Sequence, residues 1–135
     1  MYFQAVHIGG GVYYDGGVSD PVPIRRLQRD GHHKALIVLT RPEGYRKACG
    51  RSDRVAAGVL RRRYPAIADH LLHRYKTYNE SVQICEKMQE EGNAVLIRPS
   101  EPLSSFEKDT DVLRRSYQMG YDMAMNRMDE IKALF

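Results

Sequence analysis

Val12, Tyr13 and Tyr14 run into Asp15, then Gly16 and Gly17, and then Pro21 and Pro23. No other stretch limits the fold of this chain more. β-Branched and aromatic residues favour an extended backbone. A glycine pair permits a sharp turn. The two prolines cannot continue a paired strand, and they suit the first turn of a helix. The pattern sets a carboxylate at the tip of a strand, on a tight turn, just before a helix. The next apolar run, residues 35–39 (Ala-Leu-Ile-Val-Leu), is continuous, as in a parallel strand covered on both faces. Strand, turn, helix and strand between residues 13 and 40 form a unit with a helical crossover, which favours parallel pairing of its two strands. An α/β sheet with helices on both faces follows. Ligands bind near strand ends in such sheets. The plainer alternative is an Asp-Gly turn whose acid is simply solvated.

The remaining elements follow in order. Val6-His7-Ile8 and Val12-Tyr13-Tyr14 flank Gly9-Gly10-Gly11, which reads as a hairpin turn rather than an anion cradle. Residues 23–30 form a short helix stopped by Gly31. A second helix opens at Ser52-Asp53-Arg54, with Val55, Val59 and Leu60 as its apolar side, and Arg61-Arg62-Arg63 as charge at its C-terminal end. A long helix spans 66–91, its buried stripe being Ile67, Leu71, Tyr75, Tyr78, Val82 and Cys85. Residues 94–97 are another buried strand, and 100–105 a linker across the sheet edge. A final helix covers 109–134, with Asp109 and Asp111 at its N-terminal end. Its apolar stripe includes Leu113, Tyr117, Tyr121, Ala124, Met128 and Ile131. Gly120 and Ala124 permit close packing, and the methionines around them make a soft surface that fills a core or adapts to a partner or acyl chain.

At 135 residues the chain is one domain's worth, with 42% hydrophobic and 28% charged residues. No apolar run reaches the ~20 residues of a membrane span. A net charge of +4 is a mild bias, not a nucleic-acid signature. Cys49 and Cys85 form no metal motif or disulfide framework, which points to a reducing compartment, the cytoplasm.

The other chemical candidates are thin. Ser19 lies inside the acid's own turn, and Gly17-Val18-Ser19-Asp20-Pro21 has proline where a nucleophile elbow needs glycine. His7 alternates with buried positions and faces solvent. The neighbours His32 and His33 point apart, and His70 and His73 beside Asp69 want a third ligand from elsewhere, so no metal is expected. Arg41, Arg46 and Lys47 follow the strand at 35–39. In a parallel sheet they share a side with Asp15 and suit an anionic headgroup, or they are ordinary solvated loop charges.

The stretch from Tyr14 to Pro23 resembles the aspartate motif of patatin-like phospholipases. The run Leu39-Thr40-Arg41-Pro42-Glu43-Gly44-Tyr45-Arg46-Lys47 is similar to a loop of that family's bacterial branch. The similarity runs more loosely from about Val6 to the C-terminus. It implies that residues 1–135 are the C-terminal part of a single patatin-like domain, with 100–135 as linker and terminal helix. The fold class is then α/β: part of a patatin-like sheet (a hairpin plus two buried strands) covered by helices, with a long C-terminal helix. Asp15 is the catalytic acid of a Ser-Asp dyad, with Gly16 and Gly17 turning the backbone beneath it. The family also needs Gly-x-Ser-x-Gly and a glycine-rich oxyanion loop, and neither is in this sequence.

The resemblance thus implies a serine acyl hydrolase acting on lipid esters, without cofactor, whose nucleophile lies in an N-terminal half outside this chain. The chain alone is inactive. It is unstable, self-associating or bound to that half, because an uncovered strand at 35–39 invites association. Transient contact with a membrane surface fits a lipid substrate. Two alternatives stand beside this one: a non-catalytic binding module on the same scaffold, and, last, a nucleic-acid binder, for which no motif is present.

Overall fold

A computed structural model describes residues 5–135. The protein is a mixed α/β chain of five α-helices, the first being α1 (Ile24–Arg29), and two small sheets among the described residues. It divides into two compact units, residues 1–25 with 46–82, and residues 26–45 with 83–135. Each is taken by itself.

In the first unit, β1 (Val6–Ile8) and β2 (Gly11–Tyr13) form an antiparallel hairpin in the register Val6↔Tyr13 and Ile8↔Gly11. Its two-residue turn needs positive φ at both positions, and Gly9 (φ 53°) and Gly10 (φ 80°) supply it. A 3-10 turn over Gly16–Val18 follows. The helices are α2 (Arg51–Leu60) and the first part of α3 (Pro65–Glu90). The core is Ala57, Ala68 and Leu71, with Val18, Leu60 and Ile67 packed against it. Small residues let the two helices approach closely. Val55 and Val59, expected on the apolar side of α2, are 67% and 77% exposed, because Ala56, Ala57 and Leu60 make the packed face instead.

The second unit is built on β3 (Ala35–Val38) and β4 (Ala94–Ile97), paired in parallel with Ala35↔Ala94 and Val38↔Ile97. This corrects the expected topology: β2 pairs with β1, and β3 pairs with β4, in separate sheets. The argument that set Arg41, Arg46 and Lys47 on the same side as Asp15 rested on β2 and β3 sharing a sheet, and it lapses. β4 is buried at all four residues, as its apolar run requires. β3 is not: Leu36 is 42% exposed and Val38 70%. A continuous apolar run reads alike in a central strand and in one covered on a single face.

The last part of α3 brings the buried Cys85 and Met88 to this unit. Gly92 (φ 73°) ends the helix, with its N–H bonded to the Gln89 carbonyl and Asn93 N–H to that of Met88, a Schellman closure. The expected single terminal helix is two: α4 (Thr110–Asn126) and α5 (Met128–Leu134). The Asp109 carboxylate caps α4 by accepting from the N–H groups of Asp111 and Val112. The break falls at Arg127 (φ −111°, ψ 14°), and beyond it Ile131 and Leu134 pack on Val95 and Ile97.

The expected stripe of α4 is also corrected. No residue of α4 is buried; Leu113 is 48%, Tyr117 72% and Tyr121 51% exposed. The half-buried positions are Val112, Ser116, Met119, Met123 and Ala124, of which Ala124 alone belongs to the expected stripe.

Burial pushes the Cys85 thiol up to about 11, against an ordinary value of 9.0. The thiolate is the nucleophile, so a thiol held neutral is inert. Iodoacetamide at about pH 8 is expected to alkylate the half-buried Cys49 in the folded chain and to reach Cys85 only after denaturation. Mass spectrometry of the two peptides checks this, and equal native labelling would contradict it. No helix among the described residues is long and apolar enough to cross a membrane.

Candidate functional site

Asp15 lies two residues past the end of β2 and caps the 3-10 turn. Its Oδ1 accepts the Gly17 N–H at 2.8 Å, and its carbonyl accepts from Val18 at 3.0 Å. The residue is exposed, and no cation pairs with it among the described residues. One carboxylate oxygen is therefore pinned to the backbone, and Oδ2 has no protein partner among the described residues. An oxygen held this way aims the other. That is the arrangement a general base needs before its substrate hydroxyl arrives.

The glycines act differently from expectation. Neither Gly16 nor Gly17 has positive φ. A Cβ at Gly16 would meet nothing within 4 Å, whereas one at Gly17 would stand 3.2 Å from Asp15 Oδ1. Gly17 is thus matched to the carboxylate that sits on its amide, and Gly16 is tolerant. Ser19 donates its hydroxyl to the Gly16 carbonyl at 3.1 Å, not to Asp15, so the turn holds no dyad of its own.

The three loop cations divide between the units. Arg41, in the second, donates to the Leu103 carbonyl at 3.4 Å and lies 5.3 Å from the Tyr45 ring centre. It ties the segment after Pro102 to the loop after β3. In the first unit, the Lys47 backbone is clamped by Asn79: Lys47 N–H donates to Oδ1 at 2.8 Å, and Nδ2 donates to the Lys47 carbonyl at 2.9 Å. The Lys47 ammonium lies 5.9 Å from the Tyr78 ring centre. Arg46 shares this unit. Of the histidines, His73 Nδ1 lies 3.2 Å from Asp69 Oδ1, and no group of three metal-ligating side chains occurs among the described residues.

Sequence reasoning missed a second set of residues. An open cavity of about 590 Å³ lies where β3 and β4 end, bounded by Pro42 and Glu43 after β3 and by Arg98, Pro99 and Ser100 after β4. Glu86, Gln89, Met123 and Arg127 are among the other residues that line it. Arg98, 11% exposed, gives both terminal nitrogens to Glu86 Oε1 at 3.1 Å. Arg127 forks onto Glu130 at 3.1 and 2.6 Å and also reaches Gln89 and the Leu96 carbonyl. The fork draws the Glu130 carboxyl below its ordinary value and raises Arg127. The sequence signal was the repeated exit, Leu-Thr-Arg-Pro after one strand and Leu-Ile-Arg-Pro after the other.

Gln89 and Arg127 also close the outer edge of β4. Leu96 N–H donates to Gln89 Oε1 at 3.1 Å, and the Leu96 carbonyl receives Arg127. Side chains thus satisfy backbone groups that a neighbouring strand would otherwise take. On β3 the N–H groups of Ala35 and Leu39 face β4. The alternation of a parallel ladder turns those of Leu36 and Val38 the other way, and no strand pairs there among the described residues.

No curated protein and no solved structure matches this chain. The family described as "Domain of unknown function (DUF6363)" matches residues 64–135, the stretch carrying α3, β4, α4 and α5 but not Asp15. Because that match takes in more than half of the sequence, the protein belongs to the DUF6363 family.

Proposed function

We propose that this chain is the C-terminal portion of a patatin-like lipid acyl hydrolase and supplies the acid of its Ser-Asp dyad. The observation that carries the reading is Asp15 itself: an exposed carboxylate at a strand end, one oxygen held by the Gly17 amide, with no cation against it among the described residues. The unpaired edge of β3 supports the second part of the reading, that further strands belong beside it. In this mechanism the upstream serine oxygen attacks the ester carbonyl carbon while its proton passes to Asp15. The alcohol leaves with that proton, and an acyl-enzyme remains. Water then attacks the acyl carbon and gives a proton to the carboxylate; the bond to the serine oxygen breaks, Asp15 passes that proton to the serine, and the free acid leaves. No cofactor enters. Transient contact with a lipid surface goes with such a substrate, and the free thiols of Cys49 and Cys85 favour a cytoplasmic address.

The alternative, a non-catalytic binding module on the same scaffold, is favoured by the cavity at the ends of β3 and β4, whose lining does not include Asp15. The test is expression of the chain alone and together with the residues encoded upstream of it. The hydrolase reading expects a Gly-x-Ser-x-Gly upstream and turnover of a short-chain nitrophenyl ester by the longer protein only. An upstream sequence without that motif, or a longer protein without turnover, would favour the module.

A further inference from the structure

The segment of α2 and the turn after it carries a charge that no acid answers among the described residues. Of the chain's 21 basic and 17 acidic residues, five arginines and one aspartate lie between Arg51 and Arg63. The rest of the sequence therefore sums to zero, and the net charge of +4 equals that of this segment. All five arginines are exposed. None has a carboxylate partner among the described residues, whereas Arg25, Arg26, Arg98, Arg114 and Arg127 each have one. Arg54 donates to the Cys49 carbonyl at 3.4 Å, and Arg63 lies 5.5 Å from the Tyr64 ring centre, so neither is neutralised. The aspartate is turned to the backbone: Asp53 Oδ2 accepts the Gly50 N–H at 3.3 Å.

Helix stability does not account for the set. Arg61, Arg62 and Arg63 suit the negative end of a helix, but Arg51 and Arg54 stand in the first turn, where a cation meets the positive end. Val55 and Val59 are 67% and 77% exposed, and β-branched residues are no gain to a helix. The opposite face is already used, since Ala57 packs with Ala68 and Leu71. The Arg61 and Tyr64 N–H groups still bond to carbonyls four residues back, at Ala57 and Leu60, so the helical course runs on into the three arginines. At steps of three and four, Arg51, Val55, Val59 and Arg62 therefore share the outward face.

We propose that the outward face of α2 is the surface by which this chain docks on an anionic phospholipid layer. The helix lies flat on the layer, with its arginines at the depth of the phosphates and Val55 and Val59 reaching the acyl boundary. A guanidinium takes a phosphate with two parallel hydrogen bonds, and its apolar stem lies along the layer while the head stays wet. A lipid layer offers phosphate and hydrocarbon at one boundary, as this face requires. A nucleic-acid duplex would answer the arginines and leave the valines against sugar and phosphate. The choice of a lipid partner rests in part on the hydrolase reading. Vesicle binding is measured without turnover, so either can fail while the other stands.

Flotation of the 135-residue chain with vesicles tests the proposal. The chain should float with phosphatidylcholine–phosphatidylglycerol vesicles and not with phosphatidylcholine alone. It should be released as salt rises from about 0.1 to 1 M, which shortens the screening length from about 10 to 3 Å. Arg51→Gln and Arg62→Gln should each weaken binding about fivefold. Arg114→Gln removes the same charge from α4 and should weaken it less than about twofold. The sequence has no tryptophan, so Val59→Trp introduces a single probe, whose emission should shift to the blue on the mixed vesicles. No flotation with the mixed vesicles, equal flotation with phosphatidylcholine alone, or equal losses in Arg114→Gln and Arg62→Gln would overturn the proposal. So would bound Val59→Trp whose emission does not move. Salt-sensitive binding to duplex DNA without vesicle binding would make nucleic acid the occupant and overturn it too.

Discussion

On the proposed hydrolase reading, Asp15→Asn, placed in a longer protein carrying the serine that reading requires, is expected to lower ester turnover by about 10³-fold or more, with the melting temperature unchanged. The substitution keeps the shape and removes the base. An asparagine Oδ1 can accept the Gly17 N–H just as the carboxylate does at 2.8 Å, so the turn survives. The amide nitrogen that replaces Oδ2 cannot take a proton from a hydroxyl. Loss should fall on kcat rather than on KM, because in the proposed mechanism the proton moves in the transition state. Gly17→Ala is the informative companion. Its Cβ would stand 3.2 Å from Oδ1, closer than ordinary packing, so the carboxylate must shift by a few tenths of an ångström. A loss of about tenfold to a hundredfold is expected from that displacement. Gly16→Ala, whose Cβ meets open space, should cost little. If Asp15→Asn and Gly17→Ala both turn over like the parent, the acid has no catalytic part.

Arg127→Ala is expected to carry the largest stability loss among single polar substitutions, about 2–4 kcal/mol by urea unfolding. The guanidinium, 29% exposed, joins three elements at once: the Leu96 carbonyl on β4, Gln89 on α3 and Glu130 on α5. Truncation leaves the Leu96 carbonyl without its donor on the outer edge of β4, and an unmet carbonyl costs more than the hydrogen bond contributed. It also frees the joint between α4 and α5. The packing of Ile131 and Leu134 on Val95 and Ile97 depends on the bend there. Arg127→Lys should recover part of the loss, since an ammonium can reach one acceptor but cannot fork onto Glu130. Glu130→Gln should cost much less, because that carboxylate is exposed and solvent screens the pair. An Arg127→Ala loss below about 1 kcal/mol would show that the edge closure is incidental.

How far the sequence carried can be followed element by element. The long helix was legible to within a residue at each end, because Pro65 opens it, Gly92 closes it, and its apolar stripe has one phase for seven turns. The hairpin was legible from three glycines between two short β-forming runs. β4 and β3 were located, but their pairing was not. Apolar content says that a strand is covered, not which strand lies beside it, and helix α1 (Ile24–Arg29) suggested a crossover that joins nothing in one sheet. In the last helix the phase misled. The strongest apolar repeat, Leu113, Tyr117 and Tyr121, points outward, while the packed side is the mixed row of Val112, Ser116, Met119 and Met123. Helical periodicity identifies an apolar stripe but not its neighbour. The bend at Arg127 was invisible because neither glycine nor proline marks it. It is held by bonds to Leu96 and Gln89, 31 and 38 residues away.

At the candidate site the residue was legible and its surroundings were not. Asp15 stood out from the abrupt change of composition around it, but the reason for Gly17 lies in the 3.2 Å between a hypothetical Cβ and Oδ1, which no spacing rule contains. Arg98, Glu86 and Arg127 were passed over because each looks like ordinary surface charge in one dimension. Only the parallel pairing of β3 and β4 brings the loop after Arg41 and the loop after Arg98 to the rim of one cavity.

Reaction of the longer protein with a fluorophosphonate, followed by peptide mapping, tests the central claim most directly. The account predicts a single adduct, on the serine of an upstream Gly-x-Ser-x-Gly, forming at least a hundredfold more slowly in Asp15→Asn. No serine adduct, or adduct formation at equal rates with aspartate and asparagine at position 15, would contradict it.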